Sequence, residues 1–142
     1  MFIYPRTIRF HETDAAGVVY FANVLTLCHE AYEASLAAAA VNIRSFFNGQ
    51  ETAVPVVHAS VDFCRPIGCG DAIAIHLTPL QTAESAFEIA YRLHLNADDQ
   101  PLLAQAVTRH VCLQTSPRQR TVLTPELIRW IVQWSGPALA DG

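Results

Sequence analysis

A carboxylate can attack a carbonyl, or activate water against it, when another group holds the charge that develops on the carbonyl oxygen. The stretch Arg9-Phe10-His11-Glu12-Thr13-Asp14-Ala15-Ala16-Gly17-Val18-Val19-Tyr20-Phe21-Ala22-Asn23 offers both parts. A strand-like start runs into Asp14. A small turn follows, in which Gly17 permits a conformation or a close backbone approach that a Cβ would block. Tyr20 and Phe21 then lead into a long helical pattern. That order sets one carboxylate at the mouth of a helix N-terminus, whose free N–H groups and dipole suit a developing oxyanion. On a strand end Glu12 and Asp14 are expected to face the same side and repel, which would raise one pKa. Spacing alone also allows Asp14 a plainer role as a turn former or cap.

Other residue groups offer less. In Val56-Val57-His58-Ala59-Ser60-Val61-Asp62, alternation puts Val56, His58, Ser60 and Asp62 on one face, a polar row that reads as a ligand pocket or as a solvent-facing row. His58 and Ser60 are the binding candidates there, suited to ring hydroxyls of an aromatic acyl group. His29-Glu30-Ala31-Tyr32-Glu33 lacks the second His of a zinc-protease helix, so His29 and Glu33 read as an i, i+4 pair. His110 and Cys112 have no matching ligand pair, and no metal site is expected. Gly68-Cys69-Gly70 lacks the third glycine and following helix of a dinucleotide fingerprint, and no Gly-x-Ser-x-Gly elbow exists.

The elements that must position these residues follow from periodicity. Ile3 to Phe10 reads as a first strand, with Pro5 suiting an edge. Asn23 is the expected N-cap of a helix running to about Val41, with Val24, Leu27, Cys28, Ala31, Ser35 and Ala38 along one side. Its alanine-rich second half suits close approach to a sheet. Ser45 to Glu51 is a connector. Four strands are expected over Val54 to Phe63, Asp71 to Thr78, Glu84 to Leu95 and Leu102 to Leu113. Turns fall at Gly68-Cys69-Gly70, Pro79 and Asn96-Ala97-Asp98-Asp99. Thr124-Pro125-Glu126 starts a short amphipathic helix that Pro137 ends. The order β, long α, four β, short α points to an α+β layer.

The chain has 142 residues, enough for one domain spanning 1–142. Its net charge of −4 argues against nucleic-acid binding, and all nine basic residues are arginine, which suits bidentate phosphate contacts. Arg65, Arg92 and Arg118 are candidates for a phosphorylated ligand. Only 15% of residues are charged, which points to surface hidden in an oligomer. The four cysteines read as reduced thiols of a cytoplasmic protein. No signal peptide or membrane span is expected.

The motif Asp14-x-x-Gly17-x-x-Tyr20-Phe21-x-Asn23 resembles the signature of the hot-dog thioesterases of the 4-hydroxybenzoyl-CoA type, with Ala15 where that family often has Pro. The resemblance implies a curved antiparallel sheet of about five strands wrapped around one long central helix. It implies Asp14 as the catalytic carboxylate and the Phe21 backbone N–H as the oxyanion donor, with Gly17, Val18 and Tyr20 lining the substrate. Gly-Val-Val-Tyr-Phe (17–21), Cys-His-Glu-Ala-Tyr-Glu (28–33), Val-His-Ala-Ser-Val-Asp-Phe (57–63), Cys-Gly-Asp (69–71) and His-Val-Cys (110–112) look like the cyanobacterial branch that hydrolyses 1,4-dihydroxy-2-naphthoyl-CoA in phylloquinone synthesis. The implied partners are an aromatic acyl-CoA and further copies of the chain, in a homotetramer with sites at subunit interfaces. No cofactor is implied, because a thiolate leaves readily.

Overall fold

A computed structural model describes residues 1–96 and 101–136. Strands β1 (Phe2–Thr7), β3 (Val56–Phe63), β4 (Ala72–Ala83), β5 (Ala86–Leu95) and β6 (Leu102–Val111) form one antiparallel sheet in the order β1-β4-β5-β6-β3. Helix α1 (Phe21–Ala38) lies against it. A short helix α2 (Ile43–Phe46), a small sheet of β2 (Thr52–Ala53), β7 (Leu113–Thr115) and β8 (Arg118–Arg120), and helix α3 (Pro125–Trp134) complete the chain. This is the expected hot-dog arrangement.

Alternation made the sheet. Along β5, Phe87, Ile89, Tyr91 and Leu93 are buried while Ala90 and Arg92 face outward. They meet Leu27, Cys28, Ala31, Tyr32 and Leu36 of α1 in one core. Within the alanine run, Ala37 and Ala38 face solvent. The buried positions of that half are Ser35, Leu36 and Ala39, so close packing uses less of the run than expected. Ser35 also anchors α3: the Trp130 indole donates to its hydroxyl at 2.9 Å and the Trp134 indole to its carbonyl at 3.1 Å.

Several boundaries differ from the sequence reading, each for a local reason. Strand β1 stops at Thr7, and Phe10–Glu12 form a turn of 3-10 helix because Glu12 N and Thr13 N donate back to the Arg9 and Phe10 carbonyls. Tyr20, not Asn23, is the N-cap of α1, and the helix ends at Ala38. The Asn23 amide instead donates to the Glu12 carbonyl at 2.9 Å. The Ser45–Glu51 connector contains the end of α2, which Asn42 caps by accepting from Ser45 N.

Pro79 lies inside β4 opposite Ile89 rather than in a turn. Partner β1 begins at Phe2, opposite Leu77, so past that point one side of β4 has no neighbour needing its N–H. The Thr124 cap and the Pro125 start of α3 are as expected, with Thr124 accepting from Leu127 N. Pro137 and the turn residues Ala97, Asp98 and Asp99 lie outside the described residues.

Candidate active site

The segment from Glu12 to Phe21 is a tight hairpin. Asp14 N donates to the Val18 carbonyl at 2.9 Å, Gly17 N to the Asp14 carbonyl at 3.0 Å, and Thr13 bridges Val19. Gly17 closes the loop with φ of 79°, a region that disfavours other residues. Val18 bridges Gly68, and Val19 N donates to the Ile67 carbonyl at 2.7 Å. The hairpin is thereby fixed against the chain that leaves β3.

Asp14 is exposed, and one of its oxygens accepts from Ala16 N at 2.8 Å. Two residues past Val19, the chain enters α1. Tyr20 provides no side-chain cap; Asn23 N donates to the Tyr20 carbonyl at 2.8 Å, and the Phe21 N–H ahead of it is left for another acceptor. Asp14, Val18 and Phe21 border one cleft of about 400 Å³ with Val24, Phe63, Cys64, Arg65, Pro66 and Ile67. The expected carboxylate and helix N-terminus therefore open on the same space. Gly17 and Tyr20 belong to the same hairpin.

The expected repulsion between Glu12 and Asp14 does not occur. The Glu12 carboxylate is buried and turned to Arg6, which binds both of its oxygens. The Arg6 hydrogen bond holds the Glu12 carboxyl below the usual carboxylate range against the opposite pull of burial, and the Arg9 backbone N–H assists.

His58 and Ser60 lie elsewhere. A register shift between Val56 and His58 breaks the alternation, so Val56 stands opposite buried His110 while His58 stands opposite exposed Arg109. The row His58, Ser60 and Asp62 consequently faces out, without Val56. Ser60 and Asp62 border a shallow depression with Arg92 and Gln105 on the sheet face away from α1. Within one chain the structure does not bring them to Asp14. Arg65 is the cation of the Asp14 cleft, and Arg118 starts β8.

Two features escaped the sequence reading. One is the cleft wall Phe63–Ile67, signalled only by Arg65-Pro66 at a strand end. The other is a small cavity of about 150 Å³ bordered by Leu25, His29, Val56, Ala59, Tyr91, Thr108 and His110. An apolar cavity of about that size takes up a benzene ring. It follows the cleft along the seam between α1 and β3, one to two helical turns beyond Phe21. His110 is stacked on Phe87 at 4.7 Å and its Nε2 is 2.8 Å from the Thr108 hydroxyl. Its Nδ1 and the Tyr32 hydroxyl are buried without a hydrogen-bond partner. Burial pushes the imidazole down to about 4, with the Val54 backbone pulling the other way and His29 adding to the fall. His29 pairs with Glu33 at 3.4 Å, as expected. Among the described residues no group of three His, Cys, Asp or Glu side chains is placed to hold a metal, and no helix is long and apolar enough to cross a membrane.

A carboxylate and an uncapped helix start sharing a cleft on this fold define a class. Residues 8–131 match the model of the thioesterase-like superfamily, and the chain belongs to that family. Among similar proteins, the 1,4-dihydroxy-2-naphthoyl-CoA hydrolase of Rippkaea orientalis is 52% identical over 128 residues, covering 90% of this chain and 93% of the relative. Its counterpart from Gloeothece citriformis is 48% identical over 94% of this chain and 93% of its own length. Among solved structures, a 1,4-dihydroxy-2-naphthoyl-CoA thioesterase from Synechocystis superposes with a TM-score of 0.88 at 36% identity, covering 96% of this chain and 98% of that one.

Proposed function

We propose that this protein hydrolyses 1,4-dihydroxy-2-naphthoyl-CoA to 1,4-dihydroxy-2-naphthoate and coenzyme A, a step of phylloquinone synthesis. The observation that carries the thioesterase reading is the cleft itself, where the Asp14 hairpin delivers the uncapped start of α1. The substrate follows from the relatives at about half identity over nine-tenths of the chain.

Asp14 attacks the thioester carbonyl to give a mixed anhydride that water then opens, or it takes a proton from the attacking water. In both routes the Phe21 N–H and the helix dipole hold the oxyanion, and coenzyme A leaves as the thiolate. Val18, Gly17 and Tyr20 shape the entrance. Arg65 is suited to a phosphate of coenzyme A. The cavity beside His29, Thr108 and His110 is of a size for an aromatic ring, and its lining is almost wholly apolar.

Free-thiol release from the naphthoyl, benzoyl, phenylacetyl and palmitoyl thioesters tests the reading. Fast turnover of the naphthoyl ester, falling on the order of a hundred-fold or more in Asp14→Asn, is expected. Equal turnover of all four esters would leave a general acyl-CoA thioesterase. Binding without turnover would leave an acyl-CoA sensor. In single-turnover hydrolysis in heavy-oxygen water, label entering Asp14 marks the anhydride route, and label in the product alone marks the general-base route.

The active form is a homotetramer with sites at subunit interfaces. Supporting this, β3 is an edge strand exposed along nearly its whole length, with Val57 and Phe63 over half exposed, and Phe21 is 63% exposed beside the site. His58 and Ser60 would meet substrate only across such an interface. The compartment is the cytoplasm, in keeping with four unpaired thiols.

A further inference from the structure

A charged residue occupies a place on β1 where an apolar one would be expected. Phe2, Tyr4 and Arg6 share the half-buried face of that strand, and the Arg6 side chain is only 12% exposed. All five of its N–H groups are used. Nε and Nη2 each bind a Glu30 oxygen at 3.1 Å, Nη1 donates to the Thr7 carbonyl at 3.0 Å, and Nη1 and Nη2 hold the two oxygens of Glu12. One guanidinium thus ties β1 to the body of α1 and to the 3-10 turn just before Asp14.

Glu12 continues the chain of contacts through its backbone. Its carbonyl accepts two hydrogen bonds at 2.9 Å, one from Tyr20 N and one from the Asn23 amide. Tyr20 immediately precedes the Phe21 N–H, and Asn23 stands in the first turn of α1. The carboxylate end of Glu12 is therefore fixed to β1, and its carbonyl end to the helix start. Asp14 lies two residues away in the same hairpin.

We propose that Arg6, Glu12 and Asn23 are positioning residues that hold the Asp14 hairpin and the first turn of α1 as one rigid piece. This rests on the catalytic reading of Asp14 and Phe21 given above. Neither Arg6 nor Glu12 touches the cleft, so their effect on the reaction passes through the spacing of the carboxylate and the amide. Misplacement by about 1 Å can cost on the order of a hundred-fold in rate.

Two measurements on Asn23→Ala, Glu12→Gln and Arg6→Lys decide it. Native-state hydrogen exchange is expected to quicken at least about tenfold at the Asp14 and Tyr20 amides in each variant, while core β5 amides stay protected. Acyl-CoA hydrolysis is expected to lose about ten- to hundred-fold in kcat with KM within about threefold. Glu12→Gln, which keeps an acceptor for Arg9 N, is expected to retain more activity than Glu12→Ala. Unchanged exchange at both amides overturns the proposal, as does a loss confined to KM. If the parent protein hydrolyses no acyl-CoA, the functional reading falls, and the exchange rates alone still decide whether these residues hold the hairpin.

Discussion

His110 shows how one buried side chain links packing to pH. Its imidazole sits neutral among Phe87, Tyr32 and Thr108, and burial lowers it from 6.5 to about 4. The unfolded chain then binds a proton over that range that the folded chain refuses. Stability from this residue is complete above about 6.5 and falls as pH drops toward 4, by about 3 kcal/mol in all. Glu12 acts in the same direction lower down: its depressed carboxyl contributes stability above the ordinary carboxylate range, lost as pH falls through the folded value. Urea midpoints at pH 7 and pH 5 check the first effect. The parent is expected to lose stability between them, and His110→Phe to show a flatter dependence even though its pH 7 stability is lower. Both residues lay in plain sight in the sequence. On sequence alone Glu12 reads as a neighbour of Asp14, because alternation reports which side a carboxylate leaves the chain and not that a guanidinium from β1 draws it inward.

Elements with many repeats of a pattern were legible, and short or interrupted ones were not. The long apolar stripe of α1 and the alternation of β5 carry their periods over enough residues to outweigh local exceptions. Two-residue β2, three-residue β7 and β8, and four-residue α2 are too short to show a period at all. The bulge in β3 splits Val56 from the outward row of His58, with no Gly or Pro inside the strand to announce it. Asn23 matched a capping residue by type, yet its amide serves a carbonyl eleven positions earlier. The motif around Asp14 was readable because all its parts are close in sequence, whereas the Phe63–Ile67 wall reaches the cleft only through tertiary pairing. The α1–α3 contact offers a test at this scale. Ser35→Ala leaves the buried Trp130 indole N–H without its acceptor, at a cost of about 1–3 kcal/mol. A lowered urea midpoint with an unchanged slope is expected; an unchanged midpoint would mean that another acceptor replaces Ser35.

At the scale of the molecule, the chain leaves much of its apolar surface in view. Phe10 is 81% exposed, Phe21 63% and Val57 57%, and they lie on or near the hairpin, the helix start and the edge strand. Strand β3 has a neighbour on one side only, β6, so its other side presents unpaired backbone groups. A second copy laid antiparallel along that edge would pair those groups and cover Val57 and Phe63 in one step. The same contact would bring residues of one chain beside the Asp14 cleft of the other, because Phe63 borders that cleft. Lysines placed on the edge make pairing costly while leaving the buried face of the protomer alone. Val57→Lys is therefore expected to shift the parent assembly to smaller species in sedimentation velocity and to reduce thiol release in step. A parent that sediments as a monomer would remove the premise. A variant that becomes monomeric with full turnover would mean that each chain carries a complete site, and that the edge serves assembly alone.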